Sequence, residues 1–200
     1  MLNLLKIHFK KNRILLKDNF TLFSTMLLAF AINYFFHFYV GKTLGPKEYG
    51  TFGALLSIVY IIVMPLMAIQ TTLSKYVAEL SVKSDKLELR YLFFRSLKKI
   101  GIFGLIVSVL FLAFSPALSS FLKINLVSPL IILGSSIVFA FLVSVIRGFL
   151  QGLQKFKLLG LTFLIESLSK IFLGIPLIIL GFGVNGAIGG FALSFFLPLL

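Results

Sequence analysis

Six long apolar runs follow one another along this chain, at about 20–40, 51–74, 100–119, 126–146, 158–180 and 184–200. Each is close to the ~20 residues a helix needs to cross the hydrocarbon core of a bilayer. Lipid offers no partner to a backbone N–H or C=O, so only helices and closed barrels can span it. Barrel strands would be shorter and would alternate apolar with polar residues. These runs do not alternate. The expectation is an all-α membrane protein with six transmembrane helices, the sixth at the chain end. Composition agrees: 59% of the 200 residues are hydrophobic, against about 45–50% in a soluble domain.

The first run is not read as a cleaved signal. It is 21 residues long, whereas a signal core has about 7–15. Bulky residues, "NYFFHFYV", stand where small cleavage residues would be required. Residues 1–19 are read as a basic amphipathic segment on the membrane surface. Lys6, Lys10, Arg13 and Lys17 fall on one helical face, and Leu2, Leu5, Phe9 and Leu16 on another. A disordered basic tail is the alternative.

The net charge of +13 does not point to nucleic acid, because the cations form no single stripe. They cluster between the apolar runs, as orientation signals and contacts to anionic lipids do. Fifteen of the nineteen lie in three segments: residues 1–19, a loop at 75–99, and the 147–157 connection. Only Lys42, Lys47 and Lys123 lie in the alternate connections, and Lys170 lies within a run. Positive residues favour the cytoplasmic side, so a cytoplasmic N-terminus in the cell membrane is expected.

Chemistry needing thiols is excluded, since there is no cysteine. His8 and His37 are far apart and form no zinc motif. Neither metal nor cofactor is expected. A membrane-bound sugar transferase would need clustered acids to hold a metal and activate a nucleophile. Glu79, Asp85 and Glu88 form the one candidate group, and their spacing matches no metal motif. The expectation is a protein that is not an enzyme.

Two full charges inside the fifth run demand a reason. Glu166 and Lys170 stand one helical turn apart in "GLTFLIESLSKIFLGIPLIIL". A charge at the bilayer centre costs about 2.5–3.5 kcal/mol on insertion scales, so such residues face protein or a wet cavity. An i, i+4 pair lowers that cost. Two readings stay open. In one, Lys170 meets an anionic substrate group while Glu166 carries a proton or holds Lys170 in place. In the other, the pair only fixes helix packing. Arg147, Gln151 and Asn33 are further candidates for the cavity. His37, on the face of Asn33, is a candidate proton site beside Glu166; an interfacial histidine is the plainer reading. Arg147 equally suits a positive-inside anchor, and Gln70, Thr71 and Thr72 can simply reach head groups. Pro65 and Pro176 are expected to kink their helices. Ser57, Ser135, Ser136 and the Gly186–Gly190 pair read as close-packing positions.

Two stretches carry a family resemblance. Residues 44–79, "LGPKEYGTFGALLSIVYIIVMPLMAIQTTLSKYVAE", resemble the first hairpin of polysaccharide-type transporters. These are lipid-linked oligosaccharide flippases of the multidrug/oligosaccharidyl-lipid/polysaccharide exporter superfamily. Residues 146–190, "IRGFLQGLQKFKLLGLTFLIESLSKIFLGIPLIILGFGVNGAIGG", look like that family's fourth to sixth spans. The resemblance implies a polyprenyl-pyrophosphate-linked sugar as cargo, moved across the cytoplasmic membrane by alternating access. It also implies basic cavity residues that hold the pyrophosphate, a role that Lys170 and Arg147 fit. Because the family is similar to two facing six-helix lobes, this chain would be the amino-terminal lobe, a fragment or the partner of another chain. A drug or cation exporter of the same superfamily, or a non-transporting membrane partner, are the alternatives.

Overall fold

The computed structural model describes residues 2–83, 86–124 and 126–200, with side chains from residue 19 onward. The two faces expected of residues 1–19 therefore lie outside the described residues. Among the described residues every regular element is helical. Helix α1 spans Leu2–Val82, α2 Lys86–Phe121, α3 Ser128–Gly152 and α4 Phe156–Ser169. From α4 the chain passes through a π turn (Lys170–Gly174), a short α turn (Ile175–Leu177) and a second π turn (Ile178–Phe182) into α5, Gly183–Ser194.

Four continuous helical stretches are long and apolar enough to cross a membrane: Asn19–Val82, Lys86–Phe121, Ser128–Gly152 and Phe156–Leu199. The expected six separate helices are thus not matched. The cause is local. No extended loop separates runs one and two, or runs five and six: at each joint two helices meet directly across non-helical glycine and form one unbroken stretch. Each joint is nonetheless bent at glycine. Gly45 has φ 73° and ψ 175°; Gly181 has φ 89° and ψ 9°, and Gly183 φ 51°.

These bends reverse the chain. Phe36 and Phe52 would stand about 24 Å apart along a straight helix, yet their ring centroids are 6.3 Å apart. A Cβ built on Gly174 would lie 3.4 Å from Cα of Gly190, which is again sixteen residues on. Both α1 and the α4–α5 stretch are therefore hairpins with two antiparallel arms. Gly45 occupies dihedral space that is essentially closed to other residues. Although nothing lies within 4 Å of a Cβ there, Gly45→Ala should cost about 1–3 kcal/mol from backbone strain alone. Gly53→Ala, equally uncrowded but helical, should be neutral or slightly stabilising. Thermal unfolding in detergent compares the two.

The prolines sit differently from these bends. Gly45 is the position of α1 with non-helical dihedrals, and Pro65 lies within its second arm. Pro176 is the middle residue of the short turn between the two π turns. Proline has no N–H to give to the carbonyl four residues back, and wider π turns on either side accommodate that missing bond.

Helix α3 is the centre of the fold. Of its most apolar window 61% is buried, against 22–33% for the other three stretches. Leu130, Leu133, Ile137 and Phe141 of α3 pack with Phe36, Phe52, Leu55 and Ile188. Small residues let α2 approach it: Gly104 sits against Phe141, and Ser108 Oγ donates to the Gly134 carbonyl at 2.5 Å. Ser136 is buried and bonds within its own helix to Leu133 O, whereas Ser57 and Ser135 are exposed. The outward face of α2 carries Phe103, Ile106, Val109 and Phe114, each more than half exposed. Apolar residues on that scale, with no core to enter, suit lipid as solvent.

Contacts also sort the ends of the bundle. Glu48 lies beside Gly183, and Ser128 bonds Asn185 at 3.0 Å. Both hairpin bends and the start of α3 therefore share one end. Gln70 meets Gln151, and Gly152 abuts the Ser74 carbonyl, at the other end.

Candidate functional site

Residues Thr162, Glu166 and Lys170 recur every four positions and so share one stripe of the α4 stretch. Across from that stripe stand α3, bringing Arg147, and the first arm of α1, bringing Asn33. Glu166 divides its two oxygens between two cations. Its Oε2 accepts from Arg147 Nη2 at 2.7 Å, and its Oε1 accepts from Lys170 Nζ at 2.9 Å. All three side chains are nearly buried, at 11%, 15% and 6% exposed for Arg147, Glu166 and Lys170. One carboxylate between two cations leaves a net positive charge in an apolar bundle.

Further bonds hold each member. Lys170 Nζ also donates to Asn33 Oδ1 at 3.0 Å and stands 4.7 Å from the centroid of Phe191. The amide of Asn33 donates to Ser167 Oγ at 2.8 Å and to the Ala29 carbonyl at 2.9 Å. Arg147 donates from Nε to Thr162 Oγ1 at 3.1 Å and from Nη2 to the Thr162 carbonyl at 3.3 Å. Its guanidinium carbon lies 3.9 Å from the centroid of Phe163, in cation–π range. The network ties α1, α3 and α4 together.

A cavity of about 490 Å³ opens beside it. Arg147, Glu166, Asn33, Gln70, Gln151 and Ser167 supply polar groups to its wall, with apolar lining from Phe30, Leu66, Val143 and Phe195 among others. Gln70 Nε2 donates to Gln151 Oε1 at 2.8 Å. Such a site, mostly apolar with a few convergent polar groups, has the make-up of a ligand pocket.

Of the residues singled out in the sequence, Arg147, Gln151, Glu166 and Asn33 come to this wall. Lys170 joins the cluster but is not part of the wall; it stands behind Glu166. His37 is elsewhere. Its ring lies 5.6 Å from that of Phe52, in a separate hollow shaped by Tyr34, Phe38, Lys42 and Tyr49. Gln70, read from sequence as a head-group contact, forms part of the cavity instead. Thr162 and Phe163 escaped sequence reading altogether, although the four-residue step from Thr162 to Glu166 to Lys170 was there to find.

The comparisons with known proteins decide the family. The sequence profile of polysaccharide biosynthesis proteins matches residues 15–200. The chain belongs to that family. It is accordingly a multi-pass membrane protein of polysaccharide biosynthesis, in keeping with its four helical stretches long and apolar enough to cross a bilayer. No curated protein and no solved structure gives a significant match. Three charged side chains, Arg147, Glu166 and Lys170, meet inside this apolar bundle. Leucine at each position would span the membrane at lower cost.

Proposed function

We propose that this chain is the amino-terminal lobe of a flippase that carries a lipid-linked oligosaccharide across the cytoplasmic membrane. The arms of the two hairpins each cross the bilayer, so that the bundle makes six crossings. Its N-terminus and its basic connections at 75–99 and 147–157 face the cytoplasm, where they contact anionic lipids. The protein transports and does not catalyse a bond change. A second lobe, in the same protein or on a partner chain, faces the cavity and closes it. Alternating access between the two lobes then exposes the cavity to each side in turn.

One observation carries this reading: an arginine at the wall of a membrane cavity, in a cluster with a net positive charge, in a family of polysaccharide biosynthesis. Arginine binds phosphate through two parallel charge-assisted bonds. A polyprenyl-pyrophosphate-linked sugar offers such a group at head-group depth, while its tail remains in lipid. Translocation of a lipid-linked oligosaccharide in membrane vesicles tests the proposal. A lost bond to a charged group is worth about 1.5–3 kcal/mol, so Arg147→Ala should lower binding of the cargo about 10- to 100-fold. Folded-protein yield is followed in parallel. Full translocation by Arg147→Ala would remove the cavity from the mechanism.

Asn33→Leu provides a second check. It removes the acceptor that steadies Lys170 and the donor to Ser167. Stability should fall by about 1–3 kcal/mol, the cost of an unsatisfied buried polar group, as read from the melting temperature in detergent.

A further inference from the structure

Glu166 and Arg147 are asymmetric in a way that packing alone does not require. One carboxylate oxygen is bonded to Arg147, which lines the cavity, and the other to Lys170, which does not. Lys170 is itself fixed by Asn33 and Phe191. If Arg147 lets go, Glu166 keeps a cation. Arg147, for its part, is held by Thr162 through Nε and Nη2 and by the ring of Phe163. It stays in position without the carboxylate. Its other amino nitrogen, Nη1, takes part in none of these bonds. Among the described residues no buried side-chain nitrogen lacks a partner, so Nη1 keeps some access to solvent, on a residue that lines the cavity.

We propose that Glu166 is a built-in competitor for the anion site at Arg147, and that it sets the charge a lipid head group must carry to bind there. The proposal rests on the reading of the cavity as an anion receptor. The bilayer is full of singly charged phosphodiester head groups. Such a group brings Arg147 no more charge than Glu166 already supplies, and it must also displace a carboxylate that is tethered in place. A pyrophosphate carries more than one charge and can engage Nη1 and Nη2 together, so it wins the exchange. Specificity of this kind comes from raising the cost of the wrong ligand. When the pyrophosphate binds, Glu166 falls back on Lys170.

Two probes in detergent solution test the idea: geranyl pyrophosphate and a short-chain phosphatidylglycerol. Binding of each is measured to the wild-type protein, to Glu166→Gln, and to the double variant Glu166→Gln/Lys170→Met. The double variant removes the competitor together with its second cation and so keeps the net charge of the cluster, which separates competition from overall field. It also avoids leaving Lys170 without its carboxylate. The expected result is a wild-type preference for pyrophosphate that narrows by about tenfold or more in both variants, the worth of one charged hydrogen bond. The narrowing comes through gained phosphodiester binding. A preference that stays intact in the double variant overturns the competitor role and leaves the anion site standing. Failure of the wild type to bind either probe overturns the anion site itself, and the competitor with it.

Discussion

Glu166→Ala is expected to destabilise the protein by about 3–5 kcal/mol, the usual result of removing one partner from a buried ion pair. Here the loss leaves two cations, Arg147 and Lys170, each nearly buried. Both are held in place, Arg147 by Thr162 and Phe163 and Lys170 by Asn33 and Phe191. Glu166→Gln should cost less, since its amide oxygen still accepts a hydrogen bond. The melting temperatures of the two variants in detergent should therefore rank alanine below glutamine and glutamine below wild type. Equal values for all three would mean that water already screens the cluster so well that the carboxylate adds nothing to the fold.

An effect of similar size is expected far from any charge, at Gly190. A methyl group there would land on Cα of Gly174, with the Gly174 nitrogen at 2.5 Å and the Lys170 carbonyl at 3.3 Å. These are backbone atoms, which cannot rotate away as a side chain does. The two arms of the α4–α5 hairpin have to separate. Overpacking costs typically about 1–3 kcal/mol and at times more, and backbone on both sides puts Gly190→Ala at the top of that range. Gly189→Ala is the matched control, because its nearest neighbour is only Leu177 Cδ1 at 3.4 Å. Its melting temperature should stay near wild type, while that of Gly190→Ala falls. Since Lys170 begins the π turn that Gly190 packs against, the same substitution should also disturb the ion cluster.

Much of this was legible in the sequence, for reasons that differ from residue to residue. Length and hydropathy reveal an apolar helix directly, because lipid imposes both. The Glu166–Lys170 pair was legible because four residues make one turn. The Gly186–Gly190 spacing announced close approach, and Gly186 does pack on the backbone of Leu177 and Ile178. Arg147 was named as a candidate, but its partner was not. Helical periodicity says which residues share a face and is silent on which faces meet, so the 2.7 Å bond to Glu166 needed the packing of α3 on α4. The link from Asn33 to Lys170 spans 137 positions and is invisible for the same reason. Helix count was obscured at the joints, where non-helical glycine, and not an extended loop, separates one helix from the next.

Water in the cavity is the point on which the rest turns, and cysteine labelling measures it. The chain has no native cysteine, so single substitutions report cleanly. Met67 is a well-exposed cavity-wall residue, and Val109 is on the outward face of α2. Met67→Cys should react with a charged, membrane-impermeant thiol reagent, and added pyrophosphate should slow that reaction. Val109→Cys should stay inert in the same membranes. Equal inertness at both positions, in every state of the protein, would contradict the account.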